Sequence, residues 1–115
     1  MATGIRTITV PVTDLGAATA LYTTLLGVKP YVEQPYYVGF RPEGAPEVGL
    51  DPNGHASGST GPITYWHTDD IAAAVAELVA AGATEKQAPR PVGGGASIAT
   101  VVDADGNVIG LYHQE

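Results

Sequence analysis

A chain of 115 residues with no cysteine, and with 12 acids against 5 bases, is narrowly bounded before any pattern is read. It has room for one domain, or for two half-size modules sharing a core, and it can hold no disulfide, thiol nucleophile or thiolate metal site. A formal charge of -7 argues against a nucleic-acid or anionic-membrane surface, while 44% apolar residues are enough for a packed core.

The chain opens with Ile5 to Val12, where Ile8, Val10 and Val12 alternate with Thr7, Thr9 and Pro11 as in a half-buried strand. Asp14 stands at an N-cap position. Leu15, Ala18, Leu21, Tyr22 and Leu25 follow at helical spacing, and Gly27 supplies the stop. Three short strands are expected next: Val28 to Glu33, Tyr36 to Arg41 and Glu47 to Asp51. Residues 52–61 have the composition of a linker.

The pattern then restarts. Ile63 to Thr68 alternates as a strand, Asp70 caps a helix striped by Ile71, Ala74, Val75, Leu78 and Val79, and Gly82 closes it. Thr84 to Ala88, Ala96 to Val102 and Val108 to His113 read as three more strands, the last two joined through Asp105-Gly106, a hairpin signal. Superimposing Asp14 on Asp70 aligns strand with strand and cap with cap, an internal repeat of the form strand-helix-three strands. The expected fold is therefore α+β: two tandem βαβββ modules, about 5–51 and 62–113, in one domain spanning 1–115. Together they would form a curved eight-stranded mixed sheet, with helices on the convex face and a cleft on the concave one. No signal peptide or membrane span is apparent, since the apolar run from Ile71 to Ala83 is short and contains Glu77. A soluble cytoplasmic protein is expected.

Val12-Thr-Asp14-Leu15 leading to Leu21-Tyr22-Thr-Thr-Leu25-Leu26-Gly27, then Thr68-Asp-Asp70-Ile71, Pro91-Val-Gly-Gly-Gly95 and Asp103-Ala-Asp105-Gly106-Asn107 carry a resemblance. In order and spacing they are similar to the vicinal oxygen chelate superfamily of glyoxalases, bleomycin-resistance proteins and extradiol dioxygenases. In its metal-dependent members four side chains, mostly His and Glu, hold a divalent ion. Taken position by position, the resemblance puts those places at Thr7, Gly49, Ile63 (or Pro62, if the register slips by one) and Gly110. Such a set cannot hold a divalent ion, so no metal and no cofactor is expected, and metal-dependent glyoxalase and dioxygenase chemistry is not expected either.

Strand parity puts Thr7 and Thr9, then Ile63, Tyr65 and His67, then Gly110 and Tyr112 on the cleft face. Gly49 and Gly110 are expected to leave space there. Tyr65, Tyr112 and one of Tyr36 or Tyr37 would supply aromatic faces and hydroxyls. Arg41 is read either as the partner of an anionic group or as a solvated turn residue. His67 is read either as a general acid or base or as a strand-end histidine bonded to backbone. Trp66, of opposite parity, faces the helices. The Pro91–Gly95 stretch resembles the family's cleft-mouth loop, and its glycines predict mobility.

Two functions from different classes follow. The leading one is a metal-free small-molecule binding protein similar to the bleomycin-resistance type, a homodimer sequestering an aromatic or cationic compound. The alternative is a metal-independent lyase or isomerase in which His67 works with Tyr65 or Tyr112. A third reading has the cleft serve mainly as structural core.

Overall fold

The computed structural model describes residues 2–115. Its elements in chain order are β1 (Ala2–Pro11), α1 (Leu15–Leu26), β2 (Val32–Gln34), β3 (Tyr37–Phe40), β4 (Glu47–Asp51), β5 (Ile63–Thr68), α2 (Ile71–Ala80), β6 (Thr84–Gly93), β7 (Ala96–Val102) and β8 (Val108–Gln114). The fold is α+β, an eight-stranded mixed sheet with two helices. The chain forms two compact units. One is Thr7–Ile63; the other is residues 64–115 together with the N-terminal residues up to Arg6. The expected division at residues 52–61 therefore leaves the first half of β1 with the later part of the chain.

In the earlier unit the strands run β2-β3-β4-β1. β3 is antiparallel to β2 and β4, and β1 is parallel to β4, with Thr7 opposite Glu47 and Thr9 opposite Gly49. Asp14 caps α1 as its carboxylate accepts from the Ala17 N–H at 3.0 Å. Gly27 closes the helix in the left-handed region at φ 71°, where a side chain would be strained. The helix packs Leu15, Ala18, Tyr22 and Leu26 against buried Val38, Phe40 and Leu50. Phe40 and Leu50 are fully buried, each worth about 1.5–3 kcal/mol of hydrophobic transfer.

The later unit repeats the plan as β5-β8-β7-β6, with β5 parallel to β8 and the other pairs antiparallel. Asp70 caps α2 through the Ala73 N–H at 3.0 Å. Ala74 and Val75 pack with Ala99, Val101 and Leu111 in a second buried cluster. Trp66 pairs in register with Leu111, on the face that meets α2.

Two elements depart from expectation. β2 begins at Val32 rather than Val28, because Val28 packs into the α1 cluster and Pro30 has no N–H to give a ladder. β6 runs past Ala88 to Gly93, and register shifts along its pairing with β7 accommodate Pro89 and Pro91. The supposed loop is thus mostly strand. Gly94 and Gly95, both at positive φ, make a tight turn, and Gln114 Nε2 donates to the Gly94 carbonyl at 2.7 Å. No helix among the described residues is long and apolar enough to cross a membrane.

Candidate functional site

Each unit gathers its own group of the expected residues. In the earlier unit, β4 carries Glu47 and Gly49 on one face, with Thr7 and Thr9 beside them in register. Glu47 is 8% exposed. Removing a carboxylate from water costs several kcal/mol unless donors replace the lost hydration. Three do so: the Tyr37 hydroxyl donates to Oε2 at 2.6 Å, and the Tyr31 hydroxyl and Arg41 Nε donate to Oε1 at 2.9 and 3.4 Å. Burial first, then the hydrogen bond to Glu47, hold the Tyr31 phenol above its ordinary pKa, so it stays a donor across the neutral range. The Arg41 guanidinium carbon lies 3.9 Å over the Tyr31 ring, and its side chain is 59% exposed. Arg41 thus contacts a structured cluster while its side chain stays open to solvent.

The expectation of open space at Gly49 and Gly110 does not hold. A Cβ on Gly49 would lie 2.5 Å from Tyr37 Cε1, and one on Gly39, its cross-strand partner, 3.0 Å from Tyr37 Cε2. The Tyr37 ring therefore covers both glycines. In the later unit a Cβ on Gly110 would lie 2.5 Å from Tyr65 Cδ1, and Tyr65 is the register partner of Gly110. Aromatic rings on one strand commonly cover glycines on the next, because the glycine leaves the flat surface a ring needs. Of the two adjacent tyrosines, Tyr37 joins the cluster. Tyr36 sits in the β2–β3 turn at 64% exposure and does not join it.

Further along the later unit, His67 pairs with Tyr112, their rings edge to face with centroids 5.6 Å apart. The Arg6 guanidinium lies 5.0 Å from the Tyr112 centroid, and the Tyr112 hydroxyl donates to Gln114 Oε1 at 2.6 Å. No carboxylate hydrogen-bonds His67 among the described residues: Asp70 is occupied with its helix cap. Thr100, opposite Gly110, is 3% exposed, and its hydroxyl has no hydrogen-bond partner among the described residues. Ile63 opens β5 and offers only an apolar side chain.

Of the positions that the resemblance assigns to metal ligands, namely Thr7, Gly49, Ile63 and Gly110, the two glycines are covered by tyrosine rings. These residues do not fit a divalent metal, since two have no side-chain donor atom to offer, one is aliphatic and one is a lone hydroxyl. Nor is there, among the described residues, a group of three His, Cys, Asp or Glu that could hold one. His113 turns its Nδ1 to the Thr68 carbonyl at 2.9 Å, and His55 lies exposed in the linker.

Glu47 and Tyr31 were not singled out from sequence. The parity that selects Gly49 also selects Glu47 two residues earlier, and that was the available signal. Tyr31 lies just before β2, outside any periodic pattern, and nothing local in the sequence marks it.

The sequence model of the Glyoxalase/Bleomycin resistance protein/Dioxygenase superfamily matches residues 4–111. No curated protein sequence matches the chain. Solved structures do. The Mn(II)-bound glyoxalase from Novosphingobium aromaticivorans superimposes with a TM-score of 0.75 at 22% identity, over 97% of this chain and 39% of that one. The methylmalonyl-CoA epimerase from Mycobacterium tuberculosis gives 0.70 at 18% identity, over 99% and 89%. The NAD-dependent benzaldehyde dehydrogenase from Legionella pneumophila gives 0.74 at 14% identity, over 95% and 98%. At these identities the likeness is one of fold.

Proposed function

The chain belongs to the Glyoxalase/Bleomycin resistance protein/Dioxygenase superfamily, and within it we propose a metal-free protein that binds a small aromatic molecule. The observation that carries this reading is the replacement of ligand chemistry by aromatic surface. The resemblance assigns metal-ligand positions to Gly49 and Gly110, and Tyr37 and Tyr65 lie over them. Aromatic walls with a few fixed polar tips are the usual lining of a small-molecule site. Tyr37, Glu47 and Arg41 supply those tips in one unit; Thr100 and His67 supply them in the other.

A cytoplasmic homodimer is part of the proposal. Leu21 and Leu25, one turn apart on α1, are 65% and 69% exposed, an apolar pair of the kind a second copy covers. The lack of cysteine agrees with a reducing compartment without requiring one.

A thermal-shift screen of aromatic natural products, with and without EDTA, tests the reading. A binder's melting temperature rises with ligand concentration, and EDTA leaves the rise unchanged. The rise also persists in His67→Ala. Turnover of a screened compound that His67→Ala abolishes, with the fold intact, would instead establish the lyase or isomerase alternative.

A further inference from the structure

Arginine presents five N–H groups in a rigid planar fork, and two edges of that fork are available for pairing. In Arg41 the fork is fixed from within. Its Nε donates to buried Glu47 at 3.4 Å, and its plane rests on the Tyr31 ring with the guanidinium carbon 3.9 Å from the centroid. Glu47 is itself immobilised by Tyr31 and Tyr37, at 2.9 and 2.6 Å. Arg41 also interacts with the Tyr31 hydroxyl, and its side chain remains 59% exposed.

Neutralising Glu47 does not require this arrangement. A lysine would supply the same charge, and two tyrosine hydroxyls already satisfy both carboxylate oxygens. What the arginine adds is a planar, solvent-exposed fork, held by a ring stack and an anchor so that little side-chain entropy remains to be lost on binding. Two parallel N–H donors match the two oxygens of a carboxylate. Charge separates the candidate anions. With a chain charge of -7, a singly charged group meets less repulsion than a dianionic phosphate.

The geometry points to Arg41 as the anchor of an anion subsite that takes a monoanionic carboxylate on the small molecule bound. This rests on the aromatic-binding reading above and narrows it: the ligand is an aromatic acid, rather than the cationic compound that the acidic composition suggested.

Benzoate, benzamide and inorganic phosphate titrated against the full chain, followed by amide and arginine side-chain NMR shifts, provide the test. Wild-type protein binds benzoate saturably with shifts at Arg41 Nε and Tyr31, and binds benzamide and phosphate at least tenfold more weakly. Arg41→Lys keeps the charge and the fold but loses the fork, and weakens benzoate binding at least tenfold while leaving benzamide unchanged. Equal benzoate affinity in Arg41→Lys, a benzamide affinity equal to that of benzoate, or no saturable benzoate binding each overturns the subsite. Benzamide that binds wild-type protein as tightly as benzoate overturns the subsite alone and leaves the aromatic-binding reading standing. That reading fails separately, if no aromatic compound shifts the melting temperature.

Discussion

A glycine beneath a tyrosine ring is one half of a coupled pair, and Gly110 with Tyr65 is the clearest case. A methyl on Gly110 would sit 2.5 Å from Tyr65 Cδ1 and 2.7 Å from Cγ, closer than carbon atoms pack, and these are the ring's inner atoms rather than a flexible tip. Gly110→Ala is therefore expected to cost about 1–3 kcal/mol as the ring is forced off its rotamer. The cost belongs to the pair. In a Tyr65→Ala background the same substitution meets no ring, so the coupling in a double-mutant cycle, read by urea denaturation, should be about 0.5–3 kcal/mol. Additive effects would show that the ring does not occupy that space. Glu47 obeys a related logic: its burial is tolerable because Tyr31, Tyr37 and Arg41 donate to it. The Arg41 contact, with its partly exposed side chain, contributes the least to stability.

At the scale of elements, the two helix caps and the β7–β8 turn were legible because each is a local contest settled by neighbouring residues. Asp14 and Asp70 act as N-caps at the expected places, with near-identical geometry. In the turn, Asp103 accepts from the Asn107 side chain at 3.0 Å and from the backbone N–H groups of Asp105 and Asn107 at 2.9 and 2.8 Å. The Asn107 side-chain bond, then the backbone bonds, hold the Asp103 carboxyl below its ordinary value of 3.8. A depressed acid stabilises the fold fully above its unfolded pKa, and that contribution is lost as pH falls through the lower folded value. Urea midpoints should therefore drop more steeply below pH 4 for wild type than for Asp103→Ala, which has already lost the bonds. Parallel pH profiles would contradict this. The failures were of another kind. β2 and β6 differ from the sequence reading because packing and pairing decide which residues join a ladder: Val28 packs into the α1 cluster, and β7 pairs with β6 as far as Gly93. The same limit hid the tyrosines. Strand parity identifies the face of Gly49 and Gly110, but what stands over that face depends on register, which brings Tyr65 beside Gly110 and sets Gly39 opposite Gly49, with the Tyr37 ring over both.

At the scale of the whole molecule, an internal repeat is the organising feature, and sequence alone was enough to find it. Two units, each with a capped helix over its own buried cluster, carry glycines at corresponding places in β4 and β8, and each glycine lies under a tyrosine. The fold is that of a superfamily whose structural relatives include a Mn(II)-bound glyoxalase, and in this chain Tyr37 and Tyr65 cover Gly49 and Gly110. The proposed function requires no divalent metal. Equilibrium dialysis of the purified protein against Mn(II), Ni(II) and Zn(II), followed by elemental analysis, tests it most directly. Retained metal is expected to stay far below one ion per chain for all three. One tightly held ion per chain, displacing Tyr37 or Tyr65 from its glycine, would contradict it.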